Sequence, residues 1–513
     1  MFNLLTEPWL PLNGVDGGIA NASIGEALLD PQRWAGIASV NPVECISIHR
    51  LLLAICHRAI GPGDLNQRSA LLDAWPHQKI QSYLSQWADR FDLFHPTHPF
   101  LQTPGLKGAG ANLRPWTTLA PDRATGKSRL LWDHSLDNNV TPITSAEAAR
   151  ALIAHQQFVL GGTVRFLQHS GNQGPLVNWV VVIPTGDTLQ QTIVDNLICQ
   201  TAAEHQQDLP PWEMEPPALD DLRDPVTPII PAGPAQRYSW LSRAVEMQPL
   251  EDGSVAHLFY GGGQRMAPTP TPDPMTPMVQ GNQGLIPLRL QEDKTFWRDF
   301  HSLAGGEGST APAVAVHAAT LQQLRCNYNP LELIAGGFCS GAQIGKPGIW
   351  RLEFRRLSPE LLQPGPVNSI AQSAVNLANS VSNDLNKALK ALFCNWVSSN
   401  NRGKVPSPTD IKKLQDSTQA MAHYWAALEP EFWGLVDQLS SGITLENATT
   451  RWANTLKRII QQTWEHAIGQ LGRDARALAA AAGAEGALAR VFSLASWPAN
   501  GRKQQSTCNG FSP

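Results

Sequence analysis

Apolar and polar positions change rhythm near residue 360. Before that point short apolar runs are broken every few residues by Gly and Pro, the texture of mixed helices and strands. The run ISIHRLLLAICHRAI predicts a helix that Asn41 caps, Pro42 opens and Glu44 favours from its first turn, stopped by Gly61-Pro62-Gly63. A second helix is predicted over roughly 79–91. LVNWVVVI (176–183) and IWRLEF (349–354) read as strands between Gly and Pro signals. APTPTPDPMTP (267–277) reads as an extended loop, because each Pro fixes φ and removes an amide donor.

After Pro364-Gly365-Pro366 the spacing becomes helical over long stretches. Ile370, Ala374, Leu377, Ala378, Val381, Leu385, Ala388, Leu389, Leu392 and Trp396 share one face of a long helix. Further helices are predicted over 409–440, with Pro430 the candidate point of interruption, over 445–471, with Trp452, Leu456, Ile459, Ile460, Trp464 and Ala467 inward, and over 473–495. The expectation is an α+β protein: a mixed α/β domain over 1–364, a C-terminal four-helix bundle over 365–500, and a disordered tail over 501–513.

Length and composition sharpen this picture. A chain of 513 residues supports two or more packed units. Only 16% of it is charged while 17 Trp are present, which favours a globular protein whose surface is partly covered by partners. A net charge of −4 is unlike a free-standing nucleic-acid binder, though a subunit whose partners carry the positive charge escapes that expectation. Seven scattered Cys form no C-x-x-C pair, so neither a zinc ribbon nor a disulfide framework is supported. With no basic n-region and no long apolar run, the sequence predicts a soluble cytoplasmic protein without a membrane partner.

Candidate chemistry is sparse. His95 and His98, beside Asp92, suggest a metal or acid/base site, but a Pro after each enforces an extended turn that fixes a loop against the core. Cys339 stands in the nearest thing to a nucleophile motif without an identifiable base. GGFCSGAQIGKPG fails as a phosphate loop: Ser340 holds the required Gly position and Pro347 replaces the magnesium-binding hydroxyl. No cofactor and no catalytic residue are predicted.

Three segments carry a resemblance: the opening FNLLTEPWLPL, then FHPTHPFLQT (94–103), then YNPLELIAGGFCSGAQ (328–343). In this order, with a mixed body and a helical C-terminal part, the chain resembles the CasA/Cse1 family, the large subunits of type I-E CRISPR surveillance complexes (Cascade). The resemblance implies a subunit without chemistry of its own, which recognises the protospacer-adjacent motif (PAM) as duplex DNA while a guide RNA reads the longer target. It further implies promotion of duplex opening and R-loop formation, contact with the displaced single strand, and recruitment of a helicase-nuclease. The implied partners are crRNA and the other Cascade subunits: backbone, small helical and crRNA-handle-binding.

Residue by residue, Gly161, Gly162, Thr163 and Arg165 correspond to the family's glycine loop along the PAM backbone, or else form an ordinary turn before a strand. Arg265 stands where the family places a lysine finger in the minor groove. Gly336, Gly337 and Gly341 would let backbone approach DNA, or simply make a turn. An ungapped match puts Ala342 at the family's glutamine-wedge position and Gln343 one place later. Leu131, Trp132, Asp133 and His134 correspond to the tip of a loop contacting the crRNA handle and neighbouring subunits, with Trp132 alternatively a core residue. Lys387, Lys390, Lys412, Lys413, Arg451, Lys457 and Arg458 line a path for displaced strand or are solvated helix faces. The rival readings are a stand-alone nuclease, which requires a clustered acidic or His metal site, and a scaffold that never touches DNA.

Overall fold

The computed structural model describes residues 1–121, 140–269, 271–306, 308–327, 329–341, 346–400 and 406–496. Two compact units emerge: Met1–Phe296 with Ser302–Leu362, of mixed α and β structure, and Trp297–His301 with the chain from Gln363 onward, which is helical.

In the first unit, helix α1 (Pro42–Ala59) starts as its sequence dictates, with the Asn41 side chain accepting from the amides of Val43 and Glu44. It is buried on almost every side and packs on α2 (Ser145–Phe158). Arg50, wholly buried on α1, therefore needs partners: it pairs with Asp273 at 2.9 Å, donates to Gln157 and lies 4.1 Å over the Tyr238 ring. Asp273 belongs to the Pro-rich segment, which has no helix or strand among its described residues and is pegged to the core by this carboxylate. Burial alone would raise the Asp273 carboxyl, but the Arg50 and Arg237 guanidiniums outweigh it and hold the group below its ordinary range.

Two of the three recognition segments also prove to be core. Trp9, fully buried, donates to the Leu4 carbonyl at 3.0 Å, and Leu4 takes its own amide to Phe91. Asp92 accepts from the amides of Phe2 and Phe94, while buried Gln102 donates to Leu93 and accepts from Met247. The His95 ring accepts from the amides of Thr97 and His98, which shapes the turn, and His98 faces Glu215 at 2.9 Å. The helix expected over 79–91 is split into His77–Gln86 and a 3-10 turn, Ala88–Phe91.

The strands that matter for the site follow in chain order. β1 (Gly162–Phe166) and β2 (Gln168–Gly171) form a hairpin; β3 (Val181–Thr185) pairs elsewhere; β4 (Arg243–Pro249) and β5 (Val255–Gly262) are antiparallel partners. β6 (Leu331–Ser340) is central between β7 (Pro347–Leu357) and β3, all antiparallel. The strand expected over 176–183 begins only at Val181, because Asn178 adopts a left-handed φ of 75° that breaks the extended run.

The helical unit contains α3 (Pro366–Asn400), α4 (Pro408–Thr418), α5 (Ala420–Ser440), α6 (Leu445–Leu471) and α7 (Ala475–Leu494). α3 packs on each of the others. Its buried face includes Ala371, Val375 and Phe393, whereas Ile370, Leu377 and Trp396 of the expected stripe are half-buried. Helix 409–440 breaks at Gln419, left-handed at φ 51°, and runs unbroken through Pro430. The lost amide of Pro430 is outweighed by aromatic packing nearby: Phe432 sits 5.1 Å from Trp297, 5.4 Å from Phe300 and 6.1 Å from Trp452. Trp452 and Tyr424 donate to the carbonyls of Ala374 and Ala378 on α3. By length and composition α7 could cross a membrane; here its alanines pack on α3 and α6. The expected tail over 501–513 lies outside the described residues.

Trp297→Ala should cost the helical unit about 3–5 kcal/mol, because a fully buried indole leaves a cavity beside Phe432. Urea unfolding followed by the helical signal measures it, and an unchanged midpoint contradicts the packing. A pH effect follows from three buried histidines. Burial pulls His49 down to about 4 and, with Arg68 and His205 beside His57 and Arg243 beside His155, pulls those two to about 3. The unfolded chain takes up these protons near pH ~6.5 and the folded chain does not. These three groups therefore lower stability as the pH drops from about 6.5 toward 4, with a combined slope of at most about 4 kcal/mol per pH unit, partly offset by Asp195, whose carboxyl burial pushes up to about 7 so that the folded chain takes up a proton there first. Denaturation midpoints at pH 7.5, 6 and 5 report the trend, and identical midpoints would contradict it.

Candidate nucleic-acid interface

The β1–β2 hairpin holds the first group of predicted residues. Its register pairs Gly162 with Gly171, Thr163 with Ser170 and Phe166 with Gln168; Leu167, at φ 64°, makes the turn, and Arg165, at φ 70°, lies in the irregularity between Thr163 and Phe166. Val164 points into the core while Thr163 and Arg165 are exposed. Arg165 makes no hydrogen bond or ion pair among the described residues, so its charge is available.

Arg243 anchors the hairpin at its base. This guanidinium, 2% exposed, donates to Leu160 O just before the hairpin and to Asn172 O just after it, and to the Tyr260 hydroxyl. A Cβ at Gly171 would stand 2.6 Å from its Cζ, so any side chain there would have to displace the clamping guanidinium. The sequence reading missed Arg243, since nothing in a lone arginine within an apolar strand announces a clamp.

Arg265 lies along the outer side of the same hairpin. It donates to Asp224 Oδ1 at 2.7 Å and contacts the Ser170 carbonyl at 3.4 Å, while the other Asp224 oxygen accepts from the His169 amide. The two predicted groups are therefore adjacent, and Arg265 is held by Asp224 rather than extended.

The third group lies on β6. Gly336 and Gly337 do not offer backbone to a ligand: a Cβ at 337 would stand 2.5 Å from the Trp179 carbonyl oxygen, and one at 336 would meet Leu352 and the Arg351 carbonyl. Both are packing glycines inside a sheet, which corrects the expectation that they approach DNA. Cys339 is likewise buried in the strand. Gly341 closes the hairpin, donating to Lys346 O at 2.7 Å. Ala342 and Gln343 lie outside the described residues, as do Leu131, Trp132, Asp133 and His134.

Asn178 links the end of β6 to the segment that follows the β1–β2 hairpin. Its Oδ1 accepts from both the amide and the hydroxyl of Ser340, at 2.9 Å each, and its Nδ2 donates to Gln173 Oε1 at 3.2 Å. Its backbone amide donates to Phe338 O and its carbonyl accepts from Leu290. Gln173 follows β2 by two residues, and its amide nitrogen would lie 3.3 Å from a Cβ at Gly161. An Asn inside an otherwise apolar run was the available signal, because Asn tolerates left-handed backbone. Of the bundle cations, Lys387 pairs with Asp384 and Arg458 with Glu431. Among the described residues no three His, Cys, Asp or Glu converge as a metal-binding group.

Residues 3–463 match the family model of CRISPR-associated protein Cse1. CasA/Cse1 of Thermus thermophilus is 32% identical over 514 residues, covering 96% of this chain and 97% of that protein. The crystal structure of Thermus thermophilus CasA superposes with a TM-score of 0.84 at 30% identity, over 96% and 99% of the two chains. A chain of a CRISPR RNA-guided surveillance complex shares the fold at 22% identity, with a TM-score of 0.76 over 96% and 99%. The fold is that of a CRISPR-associated protein. The chain belongs to the Cse1 family, as the resemblance in its three segments implies.

Arg243→Met should loosen the hairpin it clamps, leaving the Leu160 and Asn172 carbonyls unpaired at a cost of about 2–3 kcal/mol. Tryptic cleavage after Arg165 should accelerate relative to cleavage elsewhere. Unchanged cleavage at Arg165 contradicts the clamp.

Proposed function

We propose that this chain is the non-catalytic large subunit of a CRISPR RNA-guided surveillance complex. It binds crRNA-bearing partner subunits, recognises the PAM in duplex DNA, promotes strand separation and R-loop formation, and recruits a helicase-nuclease. Its relatives' names and near-complete coverage support the assembly. The observation that supports the DNA-reading part is the adjacency of the glycine hairpin and Arg265, which contacts Ser170 of β2, with Asn178 linking Gln173 just after that hairpin to Ser340 at the end of β6.

The division of labour follows from charge and backbone. Thr163 and Arg165 contact a phosphate path, Arg165 supplying the counter-charge and the hairpin backbone supplying close approach. Arg265, released from Asp224, reaches the minor groove. Ala342 and Gln343 act at a base step, where Gln343 offers an amide that both donates and accepts. Insertion there costs a few kcal/mol of unstacking, offset by the phosphate contacts. The loop bearing Leu131, Trp132, Asp133 and His134 meets the crRNA handle, and the modest net charge of −4 fits a subunit whose RNA and protein partners dominate the electrostatics.

Gln343→Ala should leave assembly intact and weaken binding to closed PAM-containing duplex, with a smaller loss when the target is already melted. Binding titrations of the assembled complex on both targets measure this. Equal losses reduce the turn to a simple contact, and no loss on either removes it from DNA reading.

A further inference from the structure

Asp224 fills an anion position on the outer side of the β1–β2 hairpin. One of its oxygens accepts from Arg265 Nη2 at 2.7 Å and the other from the His169 amide at 2.8 Å. A guanidinium and a backbone amide are the donors that proteins commonly present to phosphates. Here the chain's own carboxylate takes both of them.

The backbone on either side of this contact is fixed. Gln168, 3% exposed, donates from one amide nitrogen to the carbonyls of Leu222 and Gly263, which precede Asp224 and Arg265 by two residues each. The Asp224 amide donates to Leu167 O at 3.0 Å, and Arg265 O accepts from the Ile229 amide at 2.8 Å. Movement is therefore left to the two side chains. They are 38% and 25% exposed, so water reaches both and solvates the carboxylate when the pair opens. Exposed ion pairs are weak enough to be exchanged for a stronger acceptor.

We propose that Asp224 is an autoinhibitory latch: without DNA it parks Arg265 against β2, and duplex DNA gains Arg265 only by displacing this carboxylate. The displaced carboxylate also leaves the His169 amide for a phosphate. The latch lowers the apparent affinity by the fraction of time that Arg265 is unpaired. The inference rests on the DNA-reading role proposed above and adds its regulation.

The test is a double-mutant cycle on duplex binding by the assembled complex. Asp224→Asn removes the charge and keeps an acceptor for the His169 amide. It should tighten binding to closed PAM-containing duplex about 3–5-fold, the range set by a partly exposed ion pair, with a gain on scrambled duplex no larger than that. In an Arg265→Ala background the same substitution should gain less than about twofold, because nothing is left to release. Tryptic cleavage after Arg165 should not change, which separates release of Arg265 from loosening of the hairpin. If Asp224→Asn does not fold, Asp224→Ser also removes the charge and keeps an acceptor, and it is read by the same criteria. A gain undiminished by Arg265→Ala reduces Asp224 to a repulsive surface charge and overturns the latch. A loss of affinity makes Asp224 a support of the site and overturns it equally. If Arg265→Ala alone leaves duplex binding unchanged, the DNA-reading role of Arg265 fails and takes this inference with it. If Arg265→Ala weakens binding while Asp224→Asn does not tighten it, the latch alone fails.

Discussion

Gly337 has no room for a side chain: the Trp179 carbonyl oxygen lies 2.5 Å from where its Cβ would be. That close approach lets the segment before β3 lie flat against β6, which brings the Asn178 amide to Phe338 O and its side chain to Ser340. Gly336 does the same on the strand's other face, where Leu352 and Ile46 of α1 fill the space. Helix α1, the segment before β3 and strand β7 thus share one reference, the backbone of a single central strand. A methyl group at either glycine would displace that reference, and with it the geometry of the whole interface.

Polar groups buried in apolar surroundings fix the remaining parts. Arg50 and Arg243 are both almost wholly inaccessible, yet they are satisfied differently: Arg50 by a carboxylate and an aromatic face, Arg243 by carbonyls and a hydroxyl. Each holds an irregular segment, the Pro-rich stretch in one case and the glycine hairpin in the other. A chain with so few charges places several of them inside, where they position loops that a purely apolar core would leave free.

The fold was legible where one local rule governed the outcome. Asn41-Pro42 announced α1, the three- and four-residue spacing announced the long helices, and the Pro-rich stretch could only be a loop. Sequence reasoning failed where tertiary packing overrode a local signal. Pro430 suggested a break that aromatic packing overrides, Asn178 interrupted a run that looked like a strand, and Trp297–His301 join a helical unit from which they are distant in sequence. At the interface, residue type pointed to Arg165 and Arg265, but Arg243 and Asn178 are defined by partners 71 and 162 residues away; Arg243 had no local signature, and the one signal for Asn178 was an Asn inside an apolar run. Gly336 and Gly337 show the converse: a glycine-rich motif that invites a ligand-binding reading is explained by packing.

The central claim is that the exposed edge of the glycine hairpin faces the PAM. A photo-crosslinking amino acid at position 163, in the fully assembled complex, tests it most directly. The account predicts crosslinks to nucleotides of the PAM duplex that disappear when the motif is scrambled. Crosslinks confined to crRNA or to a neighbouring protein subunit, or unchanged by scrambling the motif, would contradict it.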